Sequence, residues 1–145
     1  MKVNIVNKSK HVNPSYSTEH SSGMDLRVEL EDKIVVLKPY ERKLLKTGIF
    51  LEIPDGYEAQ IRPRSGLAIK KGLTILNTPG TIDSDYRGEI GVIVFNTSND
   101  EIIIEDGERI AQIVFTKYEK VELVNIEEVN KTLRGQGGFG HTGTN

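Results

Sequence analysis

The chain of 145 residues contains no cysteine. Disulfide bonds, thiolate zinc sites and cysteine nucleophiles are therefore excluded. It also has no apolar run approaching the roughly 20 residues that a membrane-spanning helix needs. Its first residues lack the apolar stretch of a secretory signal. These absences predict a soluble, cytoplasmic protein that does not associate with membranes.

The chain also has little excess charge of either sign, since 19 basic and 21 acidic residues give a formal net charge of −2. Extended nucleic acids are bound by strongly basic surfaces, because the protein must neutralise many phosphates at once. We therefore expect no nucleic-acid partner. Any phosphate ligand would be a small polyanion, held by local cations and backbone amides.

The chain does contain a pattern of short strands. Apolar and polar residues alternate at Val3 and Ile5, and over residues 49–53 and 57–61, as in strands with one buried face. Short β-branched runs typical of buried strands cover residues 34–37, 73–76, 90–95, 102–104 and 110–115. Turn sequences rich in Pro, Gly, Asp and Asn separate the runs, at residues 54–56, 78–80, 97–100 and 105–107. About ten strands at this spacing predict one all-β domain, built as a sandwich, jelly roll or barrel.

Two segments depart from this pattern. A single short helix is predicted from about Ser65 to Lys71, with Ser65 as its N-cap and Gly72 closing it. Residues 134–145 contain five glycines and no hydrophobic period, so they cannot bury enough apolar surface to offset the entropy of ordering. We therefore divide the chain into an all-β domain over residues 1–133 and a mobile C-terminal segment over residues 134–145.

The densest group of reactive side chains lies in residues 77–88, which hold two aspartates, a tyrosine and an arginine. This segment is predicted to lie in a hairpin whose arms are strands. Asp83 follows Ile82 at a strand's edge, where its carboxylate could be fixed in one rotamer. A tight hairpin also offers a row of backbone N–H and C=O groups able to read the edge of a base. Asp, Ser and Gly are equally the residues of an ordinary acidic turn, which is the alternative.

A second candidate is the start of the short helix. Free N–H groups at a helix N-terminus bind phosphate, and Arg64 adds a forked cation suited to phosphate oxygens. The alternative is a plain N-cap at Ser65 beside a surface arginine. Gln112 stands out as a polar residue in an apolar strand, unless it occupies an edge-facing polar position.

Asp25 and the tail leave alternatives open. Asp25 either accepts backbone N–H bonds that hold its loop, or is a turn residue, which local reasoning favours. The tail carries one aromatic residue, Phe139, among glycines, with Arg134 before it and His141 and Thr142 after it. It is a disordered end, a nucleic-acid-binding tail, or a lid in which Phe139 stacks on a base. The tail has only one RGG-like unit and the net charge is negative, and both observations count against a nucleic-acid-binding tail.

Taken in order, five segments resemble the five motifs of the homotrimeric dUTPase family. They are SSGMDLR at residues 21–27, RPRSGLA at 62–68, NTPGTIDSDYRGEIGVIVFN at 77–96, GERIAQIVF at 107–115 and RGQGGFGHTG at 134–143. Each motif alone is modest, but five in order with compatible spacing are highly specific. A small departure is Ser22, where alanine is common in the family, and its similar size leaves the resemblance intact.

The resemblance implies a jelly-roll-like β-barrel subunit in a homotrimer with sites at the subunit interfaces. It implies hydrolysis of dUTP to dUMP and pyrophosphate, which keeps uracil out of DNA and supplies dUMP for dTMP synthesis. Asp83 would be the general base that activates a water for attack on the α-phosphorus, and Tyr86 would pack under the deoxyribose. The residues implied to line the uracil pocket are Asn77, Gly80, Thr81, Ile82 and Gly91.

The other motifs are implied to bind the phosphates and close the site. The α- and β-phosphates would be held by Arg64, Ser65 and Gly66, with Gln112 close by. The lid would supply Arg134, Phe139, Gly140, His141 and Thr142, with Phe139 covering uracil and Arg134 and Thr142 meeting the γ-phosphate. Mg²⁺ would be held by the triphosphate and waters without a direct protein ligand. Asp25 would touch that water shell indirectly or stabilise its own strand.

Two other functions remain as alternatives. One is a dCTP deaminase, an enzyme of the same fold that would need a glutamate for deamination near the base. The other is a regulatory protein that keeps a nucleotide site as a switch. Asp83 and the tail sequence favour the hydrolase.

Overall fold

The computed structural model describes residues 1–138. Within them the chain forms eleven β-strands and one α-helix. The strands are β1 (Asn4–Asn7), β2 (Gly23–Arg27), β3 (Ile34–Leu37), β4 (Arg42–Lys46), β5 (Ile49–Glu52), β6 (Tyr57–Arg62), β7 (Leu73–Ile75), β8 (Gly80–Ile82), β9 (Gly91–Asn96), β10 (Ile102–Glu105) and β11 (Arg109–Lys117). The helix α1 (Ser65–Lys71) lies between β6 and β7.

All strand pairs are antiparallel. The largest sheet has the order β2-β11-β6-β8, and a second has the order β4-β9-β7. Two further pairs are β1 with β5 and β3 with β10. This is the predicted all-β, jelly-roll-like architecture, with α1 as its one described helix.

The core is aliphatic, and it follows from strands that bury alternate residues. In β9 Val92, Val94 and Asn96 point inward, while in β10 Ile102 and Ile104 do so. Burying each Val or Ile contributes about 1.5–3 kcal/mol relative to leaving it in water. The period-two pattern in the sequence therefore corresponds to real faces of the sheets.

Asn96 is polar but fully buried, and its hydrogen bonds explain why it is tolerated there. Its Nδ2 donates to the carbonyls of Leu37, Lys38 and Asp100 at 2.8–3.2 Å. Its Oδ1 accepts from the backbone N–H and the hydroxyl of Ser98. Because its polar atoms are bonded, Asn96 joins β3 to the loop after β9, and these hydrogen bonds offset the cost of its desolvation.

The helix bounds agree with the prediction, but the predicted capping residue was wrong. Arg64 is the N-cap, in extended conformation with no side-chain capping bond, and Ser65 is the first helical residue. At the other end Gly72 has φ +68° and its N–H reaches the carbonyls of Ala68 and Leu67. Glycine adopts this left-handed conformation at low cost, so it closes the helix as expected.

The predicted hairpin around residues 77–88 exists, with a more complex loop than expected. Its arms β7 and β9 pair with Ile75 opposite Val94. The loop between them is long, and it contains β8, which leaves this sheet to pair with β6. Strand β4 was not predicted, because only Leu45 of its five residues is buried. Among the described residues, no helix has the length and apolar character needed to cross a bilayer.

Candidate functional site

The residues of the third motif surround one open pocket of about 320 Å³. The pocket lies where β8, the loop after it and the start of β9 meet the exposed side chain of Leu44 on β4. Six residues expected at the site line it, namely Asn77, Thr81, Ile82, Asp83, Tyr86 and Gly91. Gly80 lies beside them at the start of β8, where a Cβ would be 3.1 Å from Nδ2 of Asn77. Leu44 and Glu89 also line the pocket, although no motif-based argument singled them out.

The absence of a side chain at two glycines shapes this pocket. A Cβ at Gly91 would be 2.7 Å from Cδ1 of Leu44, so that leucine lies directly over the glycine. A Cβ at Gly88 would overlap the ring of Tyr86. Tyr86 therefore folds back over Gly88, and its hydroxyl donates to the carbonyl of Glu89 at 3.0 Å. The tyrosine ring is held in place at the pocket wall while remaining 44% exposed.

Asp83 is exposed at the end of β8, between this pocket and a second, acidic hollow. The hollow is lined by Asp55, Glu58, Asp83, Ser84, Asp85, Tyr118 and Lys120. The backbone carbonyl of Asp83 accepts from the N–H of Tyr86 at 3.2 Å, which makes the turn that follows β8. The carboxylate is thus carried on a fixed turn and open to a water or a ligand.

A second cluster joins the first, second and fourth motifs. The Asp25 carboxylate accepts from Nε of Arg64 at 2.7 Å and from a terminal nitrogen of Arg109 at 3.0 Å. Arg64 also donates to the backbone carbonyl of Arg109 at 3.1 Å. Asp25 lies inside β2, so the prediction that it is a turn residue was wrong. The described partners of its carboxylate are guanidinium groups instead of the backbone N–H groups of the alternative. A carboxylate bonded to two arginines neutralises part of their charge and fixes their direction.

Gln112 belongs to the same cluster. On β11 it lies opposite Asp25 of β2 on one side and Arg62 of β6 on the other, so the three side chains share one face of the sheet. Its Nε2 donates to the carbonyl of Pro63 at 2.9 Å. A Cβ at Gly23 would overlap Oε1 of Gln112, so a side chain there would displace the end of the Gln112 side chain. The polar residue in an apolar strand therefore tethers the segment that leads into α1, where Ser65 and Gly66 form the first turn.

The third-motif pocket, with Asp83, and the cluster around Asp25 and Arg64 lie at opposite corners of the sheet β2-β11-β6-β8. Ile82 pairs with Ala59, so Asp83 follows at the level of Glu58, four positions along β6 from Arg62. At about 3.3 Å per residue this is about 13 Å along the strand, and the three strand spacings to β2 add about 14 Å across it. Within one chain, Asp83 and the Asp25–Arg64 pair therefore do not share a pocket.

The hydrogen bonds of the tail are local in the part that is described, residues 134–138. Nε of Arg134 donates to the carbonyl of Gly137 at 2.8 Å, and the N–H of Gly137 donates back to the carbonyl of Arg134 at 3.0 Å. The structure therefore does not bring Arg134 to either group. The remaining predicted lid residues, Phe139, Gly140, His141 and Thr142, lie outside the described residues.

Within residues 1–138, one group of His and carboxylate side chains has the spacing of metal ligands, and it lies apart from both clusters. It consists of His11, Glu29 and Asp106. Nε2 of His11 is 3.1 Å from Asp106 and 3.2 Å from Glu29, and Lys10 also contacts Asp106 at 3.2 Å. The backbone N–H of Leu30, followed by the contacts with His11 and Lys10, lowers the pKa of Asp106 to about 2 despite partial burial. The neighbouring lysine and the mutual hydrogen bonds make this a structural ion-pair network, which motif reasoning had not found.

Known proteins match nearly the whole chain. A family model described as dUTPase matches residues 9–143. A deoxyuridine 5'-triphosphate nucleotidohydrolase from Finegoldia magna is 57% identical over 143 residues, which is 99% of each chain. A protein of the same name from Hydrogenobaculum sp. is 59% identical over 130 residues, covering 90% of this chain and 89% of its own.

Solved structures agree with the sequence relatives. The dUTPase of Staphylococcus bacteriophage 80alpha, solved with dUpNHpp, matches with a TM-score of 0.87 at 28% identity over 98% of both chains. The family model covers far more than half of the chain, and the relatives exceed 50% identity along nearly their full length. The chain therefore belongs to the dUTPase family.

Proposed function

We propose that this chain hydrolyses dUTP to dUMP and pyrophosphate, and so keeps uracil out of DNA and supplies dUMP for dTMP synthesis. The observation that carries the proposal is the single pocket formed by Asn77, Thr81, Ile82, Asp83, Tyr86 and Gly91. It places a carboxylate, an aromatic ring and exposed backbone in one cavity of nucleoside size. Membership of the dUTPase family supports the same reaction.

Uracil would be recognised by backbone groups of β8 and its flanks. β8 is the last strand of its sheet, so its outer edge has no strand partner among the described residues. Such an edge presents fixed N–H and C=O groups. Cytosine has an acceptor at N3 and a donor amino group at C4, where uracil has a donor and an acceptor, so binding it would leave polar groups unpaired. Thr81 and Ile82 belong to this edge, and Gly80 and Gly91 let a base come close to the backbone.

Asp83 would act as the general base. Its carboxylate accepts a proton from a water whose oxygen attacks the α-phosphorus. The bond from the α-phosphorus to the oxygen that bridges to the β-phosphorus then breaks, and pyrophosphate leaves with that oxygen. A carboxylate on a fixed turn holds the water in one direction, which lowers the entropic cost of an in-line attack. Tyr86 would lie under the deoxyribose and leave no space for a 2′-hydroxyl.

The triphosphate would be bound by the second cluster. Arg64, Ser65 and Gly66 would contact the α- and β-phosphates at the start of α1, with Gln112 beside them. Mg²⁺, bound to the triphosphate and waters, would neutralise charge that develops on the phosphates. The residues present fit an ion that arrives with the nucleotide, because Asp25 is already bonded to two arginines. Asp25 would therefore reach a hydrated ion only through water.

A complete site would need more than one chain, since the two groups lie at opposite corners of the sheet. The segment after β11 supports association. It carries six apolar side chains that are 66–111% exposed, at Val121, Leu123, Val124, Ile126, Val129 and Leu133. A row of exposed aliphatic side chains marks a surface that another subunit covers. We propose the homotrimer, with one chain supplying the first, second and fourth motifs and a neighbour supplying the third.

The tail of the remaining chain would act as the lid. In this division residues 1–133 form the domain and residues 134–145 close over the bound nucleotide. Phe139 would cover uracil, and Arg134 and Thr142 would meet the γ-phosphate, with Gly140 and His141 completing the contact. Closure would exclude bulk water and align the triphosphate for attack.

The test is pyrophosphate release from dUTP, dCTP, dTTP and UTP, each with and without Mg²⁺, with ammonia measured in parallel for dCTP. We expect rapid release from dUTP with Mg²⁺ and little from the other three. Ammonia from dCTP would support a deaminase instead. Nucleotide binding without any turnover would support a regulatory protein.

A further inference from the structure

We infer that Thr47 and Glu89 are positioning residues that fix Tyr86, and that they thereby set the preference for deoxyribose over ribose. The inference rests on the proposed function, in which Tyr86 lies under the sugar. Neither Thr47 nor Glu89 belongs to the contacts proposed above. Both act through the backbone that carries Tyr86, Glu89 from the pocket wall and Thr47 from behind it.

The first link is between Tyr86 and the backbone of Glu89. The tyrosine hydroxyl donates to the carbonyl of Glu89, and the ring lies against Gly88. The position of the ring is therefore set by the position of the peptide at residue 89. Any displacement of that peptide moves the wall that excludes a 2′-hydroxyl.

The second link ties residue 89 to the turn between β4 and β5. Oε1 of Glu89 accepts from the backbone N–H of Gly48 at 2.8 Å. Gly48 has φ +68°, and a Cβ there would be 2.6 Å from the backbone nitrogen of Ser9. Its carbonyl accepts from the N–H of Lys8 at 2.8 Å. The glycine is thus enclosed by the segment after β1, and its N–H is a fixed donor.

The third link ties residue 90 to the same turn. The hydroxyl of Thr47 donates to the carbonyl of Ile90 at 2.7 Å and accepts from the N–H of Ile49 at 3.2 Å. The N–H of Ile90 donates to the carbonyl of Ile49 at 2.8 Å. Thr47 is 2% exposed and Ile90 is fully buried, so these bonds are shielded from water. Three hydrogen bonds therefore hold residues 89 and 90 against residues 47–49.

This arrangement makes the turn at residues 47–49 a rigid support for the sugar wall. A 2′-hydroxyl is one oxygen atom, so its exclusion requires the ring to be placed to within a fraction of an ångström. A misplacement of about 1 Å can cost on the order of 100-fold in rate. Loosening either tether should therefore change which sugar is accepted more than it changes the rest of the site.

The experiment compares two loosened variants with two conservative ones. Glu89→Ala removes the acceptor for Gly48, whereas Glu89→Gln keeps an oxygen at that place. Thr47→Val removes the hydroxyl at nearly constant volume, whereas Thr47→Ser keeps it. Glu101→Ala, in the exposed loop before β10, is the control for losing a carboxylate elsewhere. The readout is the ratio of kcat/KM for dUTP to that for UTP, together with hydrogen exchange over residues 83–91.

We expect the dUTP to UTP ratio to fall at least about tenfold in Glu89→Ala and Thr47→Val, with faster exchange over residues 83–91. Glu89→Gln, Thr47→Ser and Glu101→Ala should keep the parent ratio and exchange. A variant that merely weakened the fold would lower kcat/KM for dUTP and for UTP by the same factor. The inference is overturned if both loosened variants, shown to be folded by circular dichroism, keep the parent ratio. If the parent does not hydrolyse dUTP, the proposed function fails separately, and unchanged exchange over residues 83–91 would then overturn the inference.

Discussion

The carboxylate of Asp25 accepts a hydrogen bond of 2.7 Å from Nε of Arg64, a residue 39 positions further along the chain. The other carboxylate oxygen accepts from Arg109 at 3.0 Å. One acidic group therefore orients two cations that come from different motifs. The Asp25 and Arg64 side chains are only about a quarter exposed, so solvent screens their interaction less than that of a surface pair.

Asp25→Asn should lower kcat/KM for dUTP about 10- to 100-fold. An amide still accepts one bond but carries no charge, so Arg64 and Arg109 repel each other and Arg64 loses its fixed direction. Hydrogen bonds to charged groups contribute about 1.5–3 kcal/mol, and about 1.4 kcal/mol corresponds to a tenfold change. Asp32→Asn, in an exposed loop, is the matched control. Parental kcat/KM in Asp25→Asn would mean that Arg64 does not need this anchor.

Asp83→Asn should bind dUTP as the parent does while turnover falls about 10²–10⁴-fold, the usual contribution of a general base. The amide keeps the shape of the side chain but cannot take a proton from water. Isothermal titration would measure binding, and pyrophosphate release would measure turnover. Asp55→Asn removes another carboxylate of the same acidic hollow and should retain most of the rate. Near-normal turnover in Asp83→Asn would remove Asp83 from its proposed role.

A chain that ends at residue 133 should remain a folded trimer with badly impaired hydrolysis. The described start of the tail hydrogen-bonds only to itself, as between Arg134 and Gly137, and to Thr132, so removing residues 134–138 takes no hydrogen bond from the sheets. Size-exclusion chromatography with light scattering would give the assembly, and circular dichroism the fold. An unfolded or monomeric product would show that the tail is structural.

The ion-pair network around Asp106 predicts a specific acid dependence of stability. The folded-state pKa of Asp106 is about 2, below its ordinary value of 3.8. The ionised carboxylate therefore stabilises the folded protein at pH values above 3.8. This contribution to the free energy of unfolding is lost as the pH falls from 3.8 towards 2. Urea-unfolding midpoints measured across this range should fall more steeply for the parent than for Asp106→Asn. The same pH dependence of the midpoint in both proteins would contradict a stabilising role for the ionised Asp106 carboxylate.

Much of the fold follows from local patterns in the sequence. The alternation in β5 and β6 and the β-branched runs of β9 and β10 have the bounds expected of strands, give or take a residue. Gly72 closes the helix, as its left-handed φ requires. Strand β4 could not be predicted in this way, because its two leucines are adjacent and do not alternate with its charged residues. Leu44 is accordingly 67% exposed.

Long-range pairing is what local patterns do not contain. Nothing in residues 80–82 indicates that β8 joins β6 while its neighbours β7 and β9 pair with each other. The partners of Asp25 were likewise hidden, because its two arginines are 39 and 84 positions away. The third-motif residues could be grouped in advance because they lie in one segment. Leu44 could not, because only the folding of β4 against β9 brings it to the pocket.

The central claim is that Asp83 lies one water molecule from the α-phosphorus of bound dUTP. A crystal structure of the protein with Mg²⁺ and an α,β-imido analogue of dUTP tests it directly. We predict a water within about 2.6–3.2 Å of an Asp83 carboxylate oxygen, about 3–3.5 Å from the α-phosphorus and in line with the bond to be broken. An assembly in which every copy of Asp83 is too far from that phosphorus for one water to bridge would contradict the account.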